Sequence, residues 1–118
     1  MIPVTIELQP AKHGDKWQGI VSIGPVLFNG QQPTFPLSRL RLQFWKDGEL
    51  GMTLDSNVAG RDGPVVISNA TTWLAHIPAL QPLPLTVGNW EWTAEFYEGN
   101  DTAPQTYYDG VLTVTNDR

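Results

Sequence analysis

The chain has 118 residues, of which 41% are hydrophobic and 16% charged, with a net charge of -5 and no Cys. That length suits one domain with its own core, and the acidic balance argues against phosphate backbones and anionic lipid, so neither nucleic acid nor membrane is an expected partner. The missing Cys excludes disulfides, thiolate zinc sites and Cys nucleophiles, while ten Pro and eleven Gly break the sequence too often for long helices, which leaves an all-β chain.

In chain order, Ile2, Val4, Ile6 and Leu8 alternate with Pro3, Thr5, Glu7 and Gln9, the period of a strand with one buried face, and Pro3 assigns it to a sheet edge or a strand start. No charged and then apolar leader precedes it and no stretch approaches the roughly 18 apolar residues of a membrane span, so a soluble, non-exported protein is expected. A polar turn from Lys12 to Lys16 leads into a second strand with Trp17, Gly19, Val21 and Ile23 on one side and Gln18, Ile20 and Ser22 on the other. From Gly24 to Ser38, Pro25, Pro33 and Pro36 mark a connection between sheets, with a tight turn at Asn29-Gly30.

Ser38 to Trp45 carries the clearest alternation, with Leu40, Leu42 and Phe44 facing one way and Arg39, Arg41 and Gln43 the other. Lys46 to Glu49 turns the chain, and Leu50, Met52 and Leu54 complete a β-hairpin. Asp55 to Pro64 reads as a loop and Val65 to Ser68 as a short strand. In the next strand, Thr71 to Ile77, the residues Trp73, Ala75 and Ile77 lie opposite Thr72, Leu74 and His76. Beyond the breaks at Pro78, Pro82 and Pro84, Trp90, Trp92, Ala94 and Phe96 alternate with Glu91, Thr93, Glu95 and Tyr97. Gly99-Asn100-Asp101 makes a turn, and a last strand sets Leu112 and Val114 against Val111, Thr113 and Thr115. The prediction is a single antiparallel β-sandwich domain over residues 1–118, Ig-like with about seven or eight strands, the alternative being a small β-barrel.

The sequence markers of hydrolases and transferases are missing, among them Gly-x-Ser-x-Gly, His-Glu-x-x-His and a phosphate loop. No enzyme is expected, with no catalytic residue, cofactor or metal. His13 in a polar turn and His76 on a strand read as ordinary exposed residues. Glu91 and Glu95 share an outward face, but their spacing puts them about 13 Å apart, beyond the roughly 5 to 9.5 Å of a glycosidase pair. Pairing of one of them with Arg39 or Arg41 across strands fits better. Neither Asp55-Ser56-Asn57 nor Gly99-Asn100-Asp101 has the alternating acids of a dedicated calcium loop.

Flat amphipathic rings serve both protein interfaces and sugar stacking, which makes the aromatic residues the informative set. Trp17, Trp73, Trp90 and Trp92 fall on apolar faces and are assigned to the core. Trp45 falls on the Arg39 and Arg41 side of its strand, and Tyr97, Tyr107 and Tyr108 lie near strand ends or turns. These four are the candidate interface or ligand contacts.

The order of features also carries a resemblance. Gly14-Asp15-Lys16-Trp17 enters a strand, a Pro-rich connection leads to the run from Leu37 to Gln43, and Leu54-Asp55-Ser56 and the run from Trp73 to Pro78 follow. The chain then closes on Gly88 to Phe96 and Tyr108 to Val114. Across most of its length this resembles the β-sandwich domains of tailed-phage virion proteins, in particular the N-terminal domain of baseplate upper proteins. The resemblance implies a structural role without catalysis, in a tail, baseplate or fibre attachment, with copies of itself and other virion proteins as partners; the long Pro-rich loops Gly24 to Leu37 and Pro78 to Val87 suit it, being able to extend over a neighbour. It also implies a location in the virion after assembly in the host cytoplasm. Members usually continue into a coiled coil or fibre, whereas this chain stops at Arg118, which leaves a stand-alone adaptor or a head-decorating protein open. A carbohydrate-binding module that stacks host glycan on Trp45 and the tyrosines is the alternative function.

Overall fold

Period-2 alternation needs a second apolar layer to close against, and the chain supplies it from its own short strands. A computed structural model describes residues 4–57, 62–99 and 103–116. It contains β1 (Val4–Glu7), β2 (Ala11–Lys12), β3 (Ser22–Ile23), β4 (Leu37–Lys46), β5 (Glu49–Asp55), β6 (Gly63–Pro64), β7 (Val66–Asn69), β8 (Leu74–His76), β9 (Gly88–Glu98) and β10 (Gln105–Thr115). The larger sheet has the order β1-β10-β9-β4-β5-β6 with β2 also along β10, and the smaller has the order β3-β8-β7. The architecture is all-β and sandwich-like, with two separate sheets rather than one closed barrel.

One apolar cluster joins the layers. Leu40, Leu42 and Phe44 of β4, Trp90, Trp92, Ala94 and Phe96 of β9, and Leu112 and Val114 of β10 are buried with Ile23, Ala75 and Ile77. Trp17 meets Phe44 edge-on at 6.0 Å and Trp73 stacks on Phe96 at 5.6 Å, so the core assignments for these residues hold. The β4–β5 hairpin is also as predicted, and Asn29-Gly30 forms a tight turn with Phe28 paired to Gln31.

Four expectations need correction. The larger sheet is mixed, since β1 and β2 run parallel to β10 and β6 runs parallel to β5. β1 and β2 lie along the last strand. The predicted strand from Trp17 to Ile23 shrinks to Ser22–Ile23. Its buried residues are Trp17, Ile20 and Ile23, spaced by three, because the Trp17 ring folds over Gly19, where a Cβ would lie 2.7 Å from Nε1. Asp55 is the end of β5 rather than loop, and Gly63–Pro64 adds a strand beside it. Lastly, the Pro-rich segment from Pro78 to Val87, expected to reach over a neighbour, buries Leu80, Leu83 and Leu85 in this chain's own core. Ile2, Pro3, Asn100 and Asp101 lie outside the described residues.

Candidate functional site

The outer face of the larger sheet carries most of the polar residues predicted to face outward, and strand register sorts them into rungs. At the hairpin end, Leu50, Trp45, Glu91 and Val111 stand side by side across β5, β4, β9 and β10. All four are exposed, Trp45 by 37%, Leu50 by 47% and Val111 by 47%, so three of the four positions offer apolar surface to solvent. The next rung is wholly polar, Thr53, Gln43, Thr93, Asp109 and Thr5. It is tied at its edge by the Thr5 hydroxyl, which donates to Asp109 Oδ1 at 2.8 Å.

Charge dominates the far end of the face. Arg41 donates to Glu95 Oε1 through Nη2 at 3.0 Å and Nε at 3.2 Å, the cross-strand pairing expected for one of the two glutamates. Arg39 donates through Nε at 3.0 Å and through Nη2 to Asp55. Both guanidinium groups sit over the Tyr97 ring, at 4.9 Å for Arg39 and 5.7 Å for Arg41. Tyr97 is only 7% exposed as a result. Of the predicted aromatic contacts, Tyr97 is therefore a buried cation–π platform for two arginines and not a free ring.

Tyr107 and Tyr108 are half-buried for a different reason. The β9–β10 ladder slips between Thr106 and Tyr108, a β-bulge that lets two consecutive side chains approach the core. Tyr107 packs on Phe28, Trp73 and Phe96 at 5.5, 5.8 and 5.5 Å, and Tyr108 meets Phe96 at 5.9 Å. Burial, with a smaller contribution from Glu98, raises the Tyr107 hydroxyl above the ordinary tyrosine pKa. Of the four candidates only Trp45 is exposed, so they do not gather into one aromatic platform.

Two of the polar groups weighed for chemistry, His13 and Asp55, have structural partners. The Nδ1 of His13 bonds the Leu85 carbonyl at 2.9 Å. The Asp55 carboxylate is held by Arg39 and accepts the Asn57 amide at 3.0 Å, which closes the turn after β5. Sequence reasoning missed the burial of Asp55; the signal available was a second arginine beside Arg41 on the outer face, offered only to Glu91 or Glu95. Among the described residues no group of three or more His, Asp and Glu side chains is arranged to hold a metal ion, and no helix is long and apolar enough to cross a membrane. Compared with known proteins, the chain matches no protein family, no curated protein and no solved structure.

Proposed function

We propose that the chain is a non-enzymatic structural protein of a phage virion, a component of the tail, the baseplate or a fibre attachment, that acts by docking onto copies of itself and onto other virion proteins. The observation that carries the reading is the exposed apolar pair Leu50 and Trp45, with Val111 beyond Glu91 in the same rung and a wholly polar rung beside it. An exposed aromatic and aliphatic centre with a polar surround is the composition of a protein interface. Two of the carboxylates weighed for chemistry are engaged in ion pairs, Asp55 with Arg39 and Glu95 with Arg41.

The finer fold reading is Ig-like of the variable type. The order β10-β9-β4-β5 with β1 parallel to β10, set against β3-β8-β7, corresponds to a GFCC′ sheet over a BED sheet. Counting β1 and β2 as one interrupted strand and β6 as an extension of its neighbour gives eight.

Size-exclusion chromatography with light scattering tests the reading, from dilute to near-millimolar protein, beside mass spectrometry of particles from the source. The wild type is expected to form an oligomer of fixed size and to be present in the particles. A double Trp45→Lys, Leu50→Lys variant should associate about tenfold or more weakly while keeping its fold. A monomer at every concentration that is missing from particles would overturn the assignment. Glycan-array binding lost on Trp45→Ala would replace it with the carbohydrate-binding alternative.

A further inference from the structure

One side of the sandwich has two sheet edges and, among the described residues, no strand between them. β1 ends the larger sheet and β3 ends the smaller one. A groove separates them, with a volume of about 390 Å³ between Ile6 and Leu8 on one wall and Ile20, Val21 and Ile23 on the other. It continues past Tyr108 into a smaller volume of about 150 Å³ between Val4 and Leu27. Leu8 thus lies at the Ile20 end and Val4 at the Leu27 end, so the two walls run antiparallel without pairing. Val4, Val21 and Leu27 are 59%, 56% and 60% exposed, and no residue lining either part carries a charge.

The main chain of β3 specifies what belongs there. Its bonds to β8 flank Ser22: Ile77 N–H donates to the Val21 carbonyl at 2.9 Å, and Ile23 pairs with Ala75. Ser22, opposite His76, is then the non-hydrogen-bonded position, and its N–H and C=O point away from β8 toward the open edge. No described residue pairs with that edge. In constant-type sandwiches the first strand occupies this position, whereas here β1 and β2 both lie along β10.

We propose that the groove accepts one extended strand from a neighbouring polypeptide, which adds to the free edge of β3 and sets uncharged apolar side chains, at alternate positions, against Ile6, Ile23 and Tyr108. An acyl chain would leave the Ser22 amide and carbonyl unanswered, and a folded second copy would have to insert a strand already paired in its own sheets. Strand addition satisfies both the main chain and the apolar walls. The proposal rests on the assembly reading for the source of the strand, but not for the groove itself.

The probe is an acetylated and amidated Thr-Val-Thr-Val-Thr-Val-Thr peptide, followed by amide NMR and hydrogen exchange on the whole chain. Saturable shifts centred on Ser22 are expected, with exchange of that amide slowed about tenfold or more. The exposed-site variants Val21→Lys and Leu27→Lys should each weaken binding about tenfold while leaving Trp45-dependent oligomers intact. A peptide N-methylated at alternate residues should have no effect. A Ser22 amide unmoved at millimolar peptide, or an equal response to the N-methylated peptide, overturns the proposal. Protection of Ser22 that rises with protein concentration alone also overturns it and assigns the groove to a second copy. Intact oligomers with no peptide response would remove the groove and leave the assembly reading standing, and monomers that still bind peptide would do the reverse.

Discussion

Asp55 is the buried charged residue among those described, only 2% exposed. Burial works against its charged form, but the Arg39 hydrogen bonds, the Asn57 amide and the positive charges of Arg39 and Arg41 outweigh it, holding the carboxyl below the ordinary carboxylate pKa. Because the folded value is depressed, the unfolded chain takes up the proton first as pH falls. The stabilisation from Asp55 is complete above the ordinary carboxylate range and is lost as pH drops through that range and then through the folded value. Urea unfolding at neutral and at strongly acidic pH should therefore show a loss in the wild type that is smaller in Asp55→Asn. An identical acid loss in both would show that this carboxylate contributes nothing. At neutral pH, Asp55→Ala should cost about 2–3 kcal/mol, less than for a fully buried pair because Arg39 can turn to water. A position after Leu54 in a polar run looks like loop in the sequence, since its burial depends on an arginine sixteen residues earlier.

The β4–β5 hairpin shows what alternation encodes and what it leaves out. Leu40, Leu42, Phe44, Met52 and Leu54 are all fully buried, and Asp47 and Gly48 turn the chain with φ of 52° and 78°, the mirror-image turn that matches strand twist. All of this was legible from the sequence. The bulge at Gly51 was not: Trp45 pairs with Leu50 and Phe44 with Met52, so the chain takes an extra residue where the Trp90 indole lies. A Cβ at Gly51 would come within 2.1 Å of that ring, while one at Gly48 meets nothing. Gly48→Ala should thus cost only the left-handed backbone, about 1 kcal/mol. Gly51→Ala must displace Trp90 from the core and should cost about 1–3 kcal/mol. Denaturant titrations of the two variants, with tryptophan fluorescence as the second readout, would show Gly51→Ala as the less stable and the spectrally altered one. Equal losses without a spectral change would contradict the packing. A similar slip explains the tyrosines, since strict alternation cannot turn both Tyr107 and Tyr108 toward the core.

At the scale of the molecule, alternation told which face β4, β8 and β9 bury but not which strand lies beside them. Nothing in the pattern of Val4, Ile6 and Leu8 distinguishes a neighbour in β3 from one in β10, and that choice separates the mixed sheet from the expected antiparallel one. It also decides where the open groove lies. For the interface candidates the limit was similar. Trp45 was legible as exposed from its strand parity, whereas the shielding of Tyr97 came from arginines on β4, a register no local pattern reveals.

Pairing the first strand with the last in the same direction, Val4 beside Tyr108 through Glu7 beside Val111, has a mechanical consequence. Tension applied at the two ends of the chain leaves this ladder in opposite directions along its length, so its hydrogen bonds are loaded together in shear. Handles at Gly14 and Asn116 would leave from one end and peel the bonds in succession. Single-molecule pulling should therefore find a higher rupture force through the chain ends than through Gly14 and Asn116, and equal forces would rule out this ladder as the element that bears the load. Under such a pull the fold would hold its shape until this ladder shears.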